Sequence, residues 1–524
     1  MAYKQLMTAE QAAELVQDED VLVTSGFVAC QMPEYLSKAL ENRFLKTGSP
    51  KNLTLLYAAA QGNRDGSGAD HFAHKGLLHR VIGGHYNMSP ALGKMIIENE
   101  IEGYNFPQGT LSQLFREMAG KRPGVLTHVG IGTFVDPRLQ GGKLNSITTE
   151  DLVQVVNING TEKLLYLSPK ADVAFIRGTV SDENGNVTLE KECCTNEATA
   201  IAAAVHNNGG KVIVQVERVV KNGSVDPRLV KIPGIYVDAL VICDAPEDHM
   251  QCQGQEYDGS MTGDFRIPLN QMSSVALDAK KIIARRAVLD LLPDTVVNLG
   301  IGAPEYISMV ANEEGIGDYM TLTVEAGPIG GVPQGGPKFG GAVNVEAIVD
   351  QPYQFDFYDG GGVDLAFLGL AELDMDGNIN VSKFGVRLAG CGGFINITQN
   401  AKKVYFCGTF TAGGLREHCE DGRLVIDQEG RKKKLIPKVE QITFSGKYAA
   451  KTKQPVTYIT ERAVFELHED GIWLTEIAPG IDLRTQVLDL MDFVPQIPKE
   501  GPVLMDQRIF RDEKMNIQNG KGDM

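Results

Sequence analysis

One carboxylate stands where an apolar strand gives way to a glycine-rich loop. The run Tyr319-Met-Thr-Leu-Thr-Val324 reads as a buried strand, and it leads into Glu325-Ala-Gly327-Pro-Ile-Gly330. A glutamate at the carboxyl end of such a strand lies where open α/β domains place reactive groups. With an ordinary pKa of about 4.3 it is ionised near neutrality, so it can attack an activated carbonyl without a base. Position alone also fits a solvated loop glutamate.

Other chemistries find less support. Gly130-Ile-Gly132, Gly300-Ile-Gly302 and Gly390-Cys-Gly392 are Gly-x-Gly turns beside apolar runs. None carries the third glycine of a dinucleotide loop, and no G-x-x-x-x-G-K-[ST] loop is present. Asp70, His71, His74, His79 and His85 cluster along the chain, and His71 and His74 would share a helix face. They lack the H-E-x-x-H arrangement, so no metal site is expected. No G-x-S-x-G elbow marks a serine hydrolase.

The elements that must position Glu325 come in two copies. Asp172, Asp182, Gly185 and Lys211 recur as Asp364, Asp374, Gly377 and Lys403, always 192 positions later and each within the same β-rich context. Upstream, Pro33-Glu34-Tyr35 recurs as Pro304-Glu305-Tyr306, 271 positions on, so the first copy holds 79 extra residues between the two matches. Matching Asn52–Ala58 to the run ending in Val324-Glu325 sets Glu325 opposite Ala58, 267 positions on and near the local offset of 271, so that only one copy has the carboxylate. Units this long are duplicated domains rather than a solenoid. Helix, apolar strand, glycine turn, helix and strand follow one another in each copy. That order predicts an α/β fold of two similar open domains with mostly parallel sheets. The expected division is 1–243, a breaker-rich linker 244–274, 275–505, and a mobile polar tail 506–524. The site is expected where the two halves face one another.

Composition narrows the partners. The 524 residues include 50 basic and 67 acidic side chains, a net charge of −17, and a single tryptophan. Such a chain disfavours a broad polyanion surface, so no nucleic acid is expected, although a local basic pocket for one phosphorylated ligand remains compatible. Thr8 and Gln11 read as a helix capping box at the N-terminus rather than a signal peptide. No apolar run reaches the roughly 18–20 residues of a membrane helix. The eight cysteines are scattered without a C-x-x-C pair. Reduced thiols, the cytoplasm and no membrane are expected.

On Gly26-Phe-Val with Pro33-Glu34, Pro107-Gln108-Gly-Thr-Leu111, Val129-Gly-Ile-Gly-Thr133, Asn298-Leu-Gly300-Ile-Gly302, Val324-Glu-Ala-Gly327 and Cys391-Gly-Gly393-Phe, the chain resembles the class I coenzyme A transferases. It is most similar to their single-chain propionate/acetate branch, over nearly its whole length. The resemblance implies that Glu325 is the nucleophile of a ping-pong exchange through a glutamyl-CoA thioester. It implies that Gln108 and the backbone at Gly392 and Gly393 hold the reacting carbonyl, and that Gly26, Asn298, Gly300 and Gly302 approach the coenzyme. Short-chain acyl-CoA and free short-chain carboxylates would be the partners, with no metal and no cofactor beyond the coenzyme as substrate. A homo-oligomer, dimer or tetramer, is implied as well. The succinyl/3-oxoacid branch has Ser-Glu-Asn-Gly around its nucleophile, whereas this chain has Val324-Glu-Ala-Gly327, which favours small monocarboxylates. An acyl-CoA hydrolase on the same fold and a non-catalytic CoA or sugar-phosphate sensor are the competing readings.

Overall fold

The computed structural model describes residues 3–268 and 275–517. Residues 269–274 of the expected linker and 518–524 of the expected tail lie outside them. Two compact units follow the fold rather than chain order. The first gathers the chain up to Ile267 with Val324–Phe357 and Ser382–Asn396; the second holds Pro268–Thr323, Tyr358–Val381 and the chain from Ile397. This departs from a cut at 244–274. The physical reason is apolar: Val324, Ala326 and Val343 bury into one cluster with Phe27, Val28, Ala59, Ala60 and Cys193 of the first unit. The segment bearing Glu325 therefore packs with the first unit although it follows a strand of the second.

The first unit is built on eight strands in the order Gln5–Met7, Ala239–Ile242, Lys211–Val216, Val173–Arg177, Val21–Thr24, Leu53–Tyr57, Leu78–Gly83 and Glu102–Asn105. Every neighbouring pair is parallel. Successive strand residues face opposite sides. Leu22, Leu55 and Val81 enter one apolar cluster while Val23, Leu56 and Ile82 enter another, so the sheet is covered on both faces.

The second unit repeats the central order. Met320–Thr323, Thr295–Leu299, Leu365–Gly369, Lys403–Cys407 and Val456–Ile459 stand side by side and parallel, as Leu53–Tyr57, Val21–Thr24, Val173–Arg177, Lys211–Val216 and Ala239–Ile242 do in the first. Two antiparallel strands, Ala463–His468 and Gly471–Ile477, extend it. The expected fold class, two α/β domains with mostly parallel sheets, is what the chain adopts.

The duplication reaches single hydrogen bonds. Asp172 Oδ2 accepts from the Val21 N–H at 3.0 Å, and Asp364 Oδ2 accepts from the Val296 N–H at 2.8 Å. Asp182 Oδ1 accepts from the backbone N–H groups of Asn184 and Asn186, just as Asp374 Oδ1 accepts from those of Asp376 and Asn378. Register agrees too: Leu56 pairs with Val23 and Thr323 with Asn298, which sets Ala58 and Glu325 at one position of the frame.

Thr8 and Gln11 close the anticipated capping box on the helix Ala9–Ala13. At the other end, the described part of the expected mobile tail, 506–517, is packed, with Ile509, Phe510 and Met515 buried in the second unit's core. Among the described residues no helix is long and apolar enough to cross a membrane.

Candidate active site

Glu325 is half-buried between two buried neighbours, Val324 and Ala326. The turn after the strand is closed by the Gly327 N–H donating to Val324 O at 3.0 Å and the Val324 N–H donating to Pro328 O at 2.9 Å. Burial pushes the Glu325 carboxyl up to about 7, partly offset by a hydrogen bond from its own backbone N–H. The ordinary value used above, near 4.3, is corrected by this desolvation. At neutral pH the group divides between acid and carboxylate, the range in which a carboxyl group serves both as nucleophile and as leaving group.

Gln108 opens the helix Gln108–Ala119, at whose first turn the backbone dipole favours negative charge. Its backbone N–H donates to Gly392 O at 2.9 Å, and the Gly392 N–H donates to Gly84 O at 2.7 Å. Gly392 has φ +52, and a side chain there would point between Gln108 Oε1 and His85 Cδ2, each 3.7 Å from the added carbon. Gly393 is buried immediately before the helix Phe394–Asn400. The structure thus brings Gln108, Gly392 and Gly393 together, from positions nearly three hundred residues apart.

Asn105 is the clamp. Its Nδ2 donates to Gly83 O and Gly84 O at 2.9 and 2.7 Å, and its Oδ1 accepts from the Cys391 N–H at 2.9 Å. Against this fixed backbone the Gln108 Nε2 amide is buried with no hydrogen-bond partner. A buried amide donor costs free energy unless something accepts from it. A carbonyl oxygen gaining charge is such an acceptor. Beside it His85, weighed above only as a metal ligand, has a buried Nδ1 with no partner, and burial lowers its pKa to about 4. It is therefore a neutral imidazole. No sequence signal separates His85 or Asn105 from ordinary loop residues, because their roles depend on the distant Gly390–Gly393 loop.

Gly26 is filled in: a side-chain carbon there would lie 3.2 Å from both Gln61 and Met32, so this glycine permits close packing. Its neighbour Phe27 shares the apolar cluster of Val324 and Ala326.

The remaining positions lie in the second unit. Asn298 is buried, its Nδ2 donating to Thr323 O at 3.2 Å while its Oδ1 has no partner. Gly300 passes so close to Leu368 that an added carbon would meet it at 2.9 Å. Gly302 faces open space, and the adjoining Ile301 and Ala303 line a groove of about 280 Å³ with Gly369, Leu370 and Gly408.

His71 and His74 are engaged by carboxylates. His71 pairs with Glu34 and Glu41 at 2.7 and 2.6 Å, and His74 with Glu41 at 2.6 Å. The cysteines are not all scattered: Cys30, Cys193 and Cys252 meet in the first unit's interior, the one group among the described residues whose potential ligand atoms lie within 4.8 Å of one another. Sequence spacing hid this cluster, since its members come from three distant loops.

Residues 6–242 match the family model described as coenzyme A transferase. The chain is 43% identical over 513 residues to the acetate CoA-transferase YdiF of Escherichia coli K12, covering 98% of this chain and 96% of that one. It is 44% identical over 516 residues to the caffeate CoA-transferase of Acetobacterium woodii, covering 97% of each. The chain belongs to the coenzyme A transferase family. The crystal structure of the Escherichia coli O157:H7 acyl-CoA transferase YdiF as a thioester complex with CoA superposes with a TM-score of 0.92 at 42% identity, covering 98% of both chains. This coenzyme A transferase therefore shares its α/β fold with a solved relative over nearly the whole chain.

Proposed function

We propose that this coenzyme A transferase moves the coenzyme between a short-chain acyl-CoA and a free short-chain carboxylate, with Glu325 as the covalent nucleophile. The observation that carries this reading is a half-buried carboxyl, raised to about 7, on a strand end that its duplicate leaves as alanine. A Glu325 carboxylate oxygen attacks the thioester carbonyl, giving a mixed anhydride and the CoA thiolate. The thiolate attacks the glutamyl carbonyl, releasing the first acid and leaving a glutamyl-CoA thioester. The second acid's carboxylate then attacks that thioester, and the returning thiolate takes up the new acyl group and frees Glu325. Each attack puts charge on a carbonyl oxygen, and the unpartnered Gln108 amide is the donor suited to receive it. Thioester energy is retained throughout, so the reaction asks for no metal or further cofactor.

The relatives named for acetate and for caffeate are equally similar to this chain, so overall identity does not choose the acid. The Val324-Glu325-Ala326 setting supports small monocarboxylates, and broad use of short acids is expected because one methylene in an apolar pocket is worth about 1–3 kcal/mol. The same reading makes the protein a cytoplasmic homo-oligomer, which sedimentation of the purified protein tests directly. The deciding experiment mixes the protein with acetyl-CoA alone and reduces it with borohydride. Conversion of Glu325 to its alcohol, seen by peptide mass, supports the covalent thioester. Continuous release of free CoA with an unmodified Glu325 would instead indicate a hydrolase.

A further inference from the structure

Cys30 and Cys252 stand directly opposite each other in an antiparallel bridge, 222 residues apart in sequence, with their sulfurs 2.7 Å apart. Cys193 Sγ lies 3.5 Å from Cys252 Sγ, and all three side chains are fully buried. A sulfur pair at 2.7 Å is too close for two ligands of one tetrahedral metal ion, which at metal–sulfur bonds of about 2.3 Å stand roughly 3.7 Å apart. It is closer to the about 2.05 Å of a disulfide, and facing positions of an antiparallel pair give the short Cα separation that a disulfide requires.

We propose that this cluster is an oxidation site in which Cys30 and Cys252 close a reversible disulfide that reports on, and slows, the reaction centre.

A cleft lies one residue away from each of the two buried cysteines, and the pair touches the loop that follows Glu325. Ala29 and Gln253, the residues next to the two cysteines, hydrogen-bond to each other at 2.9 Å. Both line a cleft of about 70 Å³ bordered by Lys38 and Arg177, large enough for a small peroxide. Hydrogen peroxide supplies the balance. One thiolate attacks a peroxide oxygen, giving a sulfenic acid and hydroxide; the facing thiol displaces the sulfenic oxygen as water. The two thiols lose two electrons and two protons, and the peroxide leaves as two waters. Cys193 Sγ, 3.5 Å from Cys252 Sγ, is the neighbouring base that can take the attacking thiol's proton: donors from Cys194, Cys252 and Cys30 hold its thiol below the usual range, whereas the Cys30 and Cys252 thiols are held above it.

Cys30 also donates to the carbonyls of Pro337 and Phe339 at 3.5 and 3.8 Å, in the glycine loop that follows Glu325. Val28 and Gln31 on either side of it have φ +52 and +55, a backbone held by packing rather than by preference. The same apolar cluster contains Val324 and Ala326, the two neighbours of Glu325. Forming the disulfide removes the Cys30 donor and draws the bridge together by roughly 0.6 Å. Displacements of that order at a reacting group lower rates by about tenfold or more.

The test uses the whole reduced protein, exposed anaerobically to stoichiometric hydrogen peroxide and alkylated. The expected result is a non-reduced peptide pair joining Cys30 to Cys252, an exchange rate lowered by about tenfold, and recovery of both on adding dithiothreitol. Cys252→Ala should lack the link and keep its activity through the same dose; Cys30→Ala serves as the second variant if that one folds poorly. A Cys252 that stays reduced or goes to sulfonic acid, or a Cys252→Ala protein inactivated as fast as the parent, would overturn the proposal. So would stoichiometric zinc or copper in the purified protein that shields all three thiols until chelated. The peptide linkage is read without any assay of transfer, so it stands or falls separately from the function proposed above.

Discussion

The strand ends Tyr57-Ala58 and Val324-Glu325 occupy the same position of a duplicated frame, yet only the second presents a carboxylate. Around both, the order of five parallel strands is the same, an aspartate carboxylate receives the N–H of the neighbouring strand, and a second aspartate closes a tight turn. Ala58 is sealed, with no exposed surface, and its carbonyl would lie 2.1 Å from any side-chain carbon at Gly84. Glu325 keeps partial exposure and opens onto a glycine loop. The frame is thus common to both copies, and only the second carries a carboxylate with a glycine loop at this strand end. The first copy contributes differently, through the additional strands Leu78–Gly83 and Glu102–Asn105 that lead into Gln108.

The contrast breaks most sharply at Glu325. Glu325→Ala should make the second strand end resemble the first and reduce exchange by at least about 10⁴-fold with folding intact, because the covalent route is gone. Adding Ala58→Glu to that variant should restore nothing, since the new carboxylate would be buried without a partner; initial rates and thermal melting together check this. Gln108→Leu keeps the helix start but removes the orphan donor. A loss on the order of 10²–10³ in kcat with KM little changed is expected, and an equal change in KM would reassign Gln108 to ground-state binding. Glu325→Asp withdraws the carboxylate by about 1 Å, and roughly 100-fold slower exchange should follow; near-normal exchange would mean an electrostatic rather than covalent role.

The pH dependence is smaller and has a fixed sign. Burial raises the Glu325 pKa to about 7, so the attacking carboxylate is lost as pH falls. The kcat/KM for acyl-CoA should drop about tenfold per unit below pH 7 and level off above it. The stability counterpart runs the other way. A raised carboxyl pKa favours the folded state fully only below the unfolded value, and that contribution is lost as pH rises through about 7. Glu325→Gln should therefore melt higher than the parent above pH 7 and equally near pH 4. Last, Asp182→Ala and Asp374→Ala each remove a buried carboxylate that accepts several hydrogen bonds, and should cost a similar ~2 kcal/mol in denaturant unfolding. Unequal costs would show that the two copies have diverged in their frame as well as at their strand ends.

The duplicated frame was legible because its signals are local. Asp172 and Asp364 recur at one spacing since each must reach the same neighbouring N–H, and Asp182 and Asp374 recur since each closes the same turn. Glu325 was legible from an apolar run ending in glycines, and Gln108, Gly392 and Gly393 through family resemblance. What escaped depends on contacts between distant residues. The Asn105 clamp needs Cys391, 286 residues away, and the thiol cluster needs loops at 30, 193 and 252. The raised Glu325 pKa is a property of burial, which no motif records. The packing of Val324–Phe357 with the first unit was likewise invisible to a reading in chain order.

A frame that is doubled while its reactive group is single also fixes a stoichiometry. Under the exchange proposed above, with alanine at the matching strand end, a chain built from two halves would offer one parking place for the coenzyme, not two. Donor and acceptor acids must then be served in turn at the same carboxylate. Their alternation follows from scarcity, without any gate to enforce the queue.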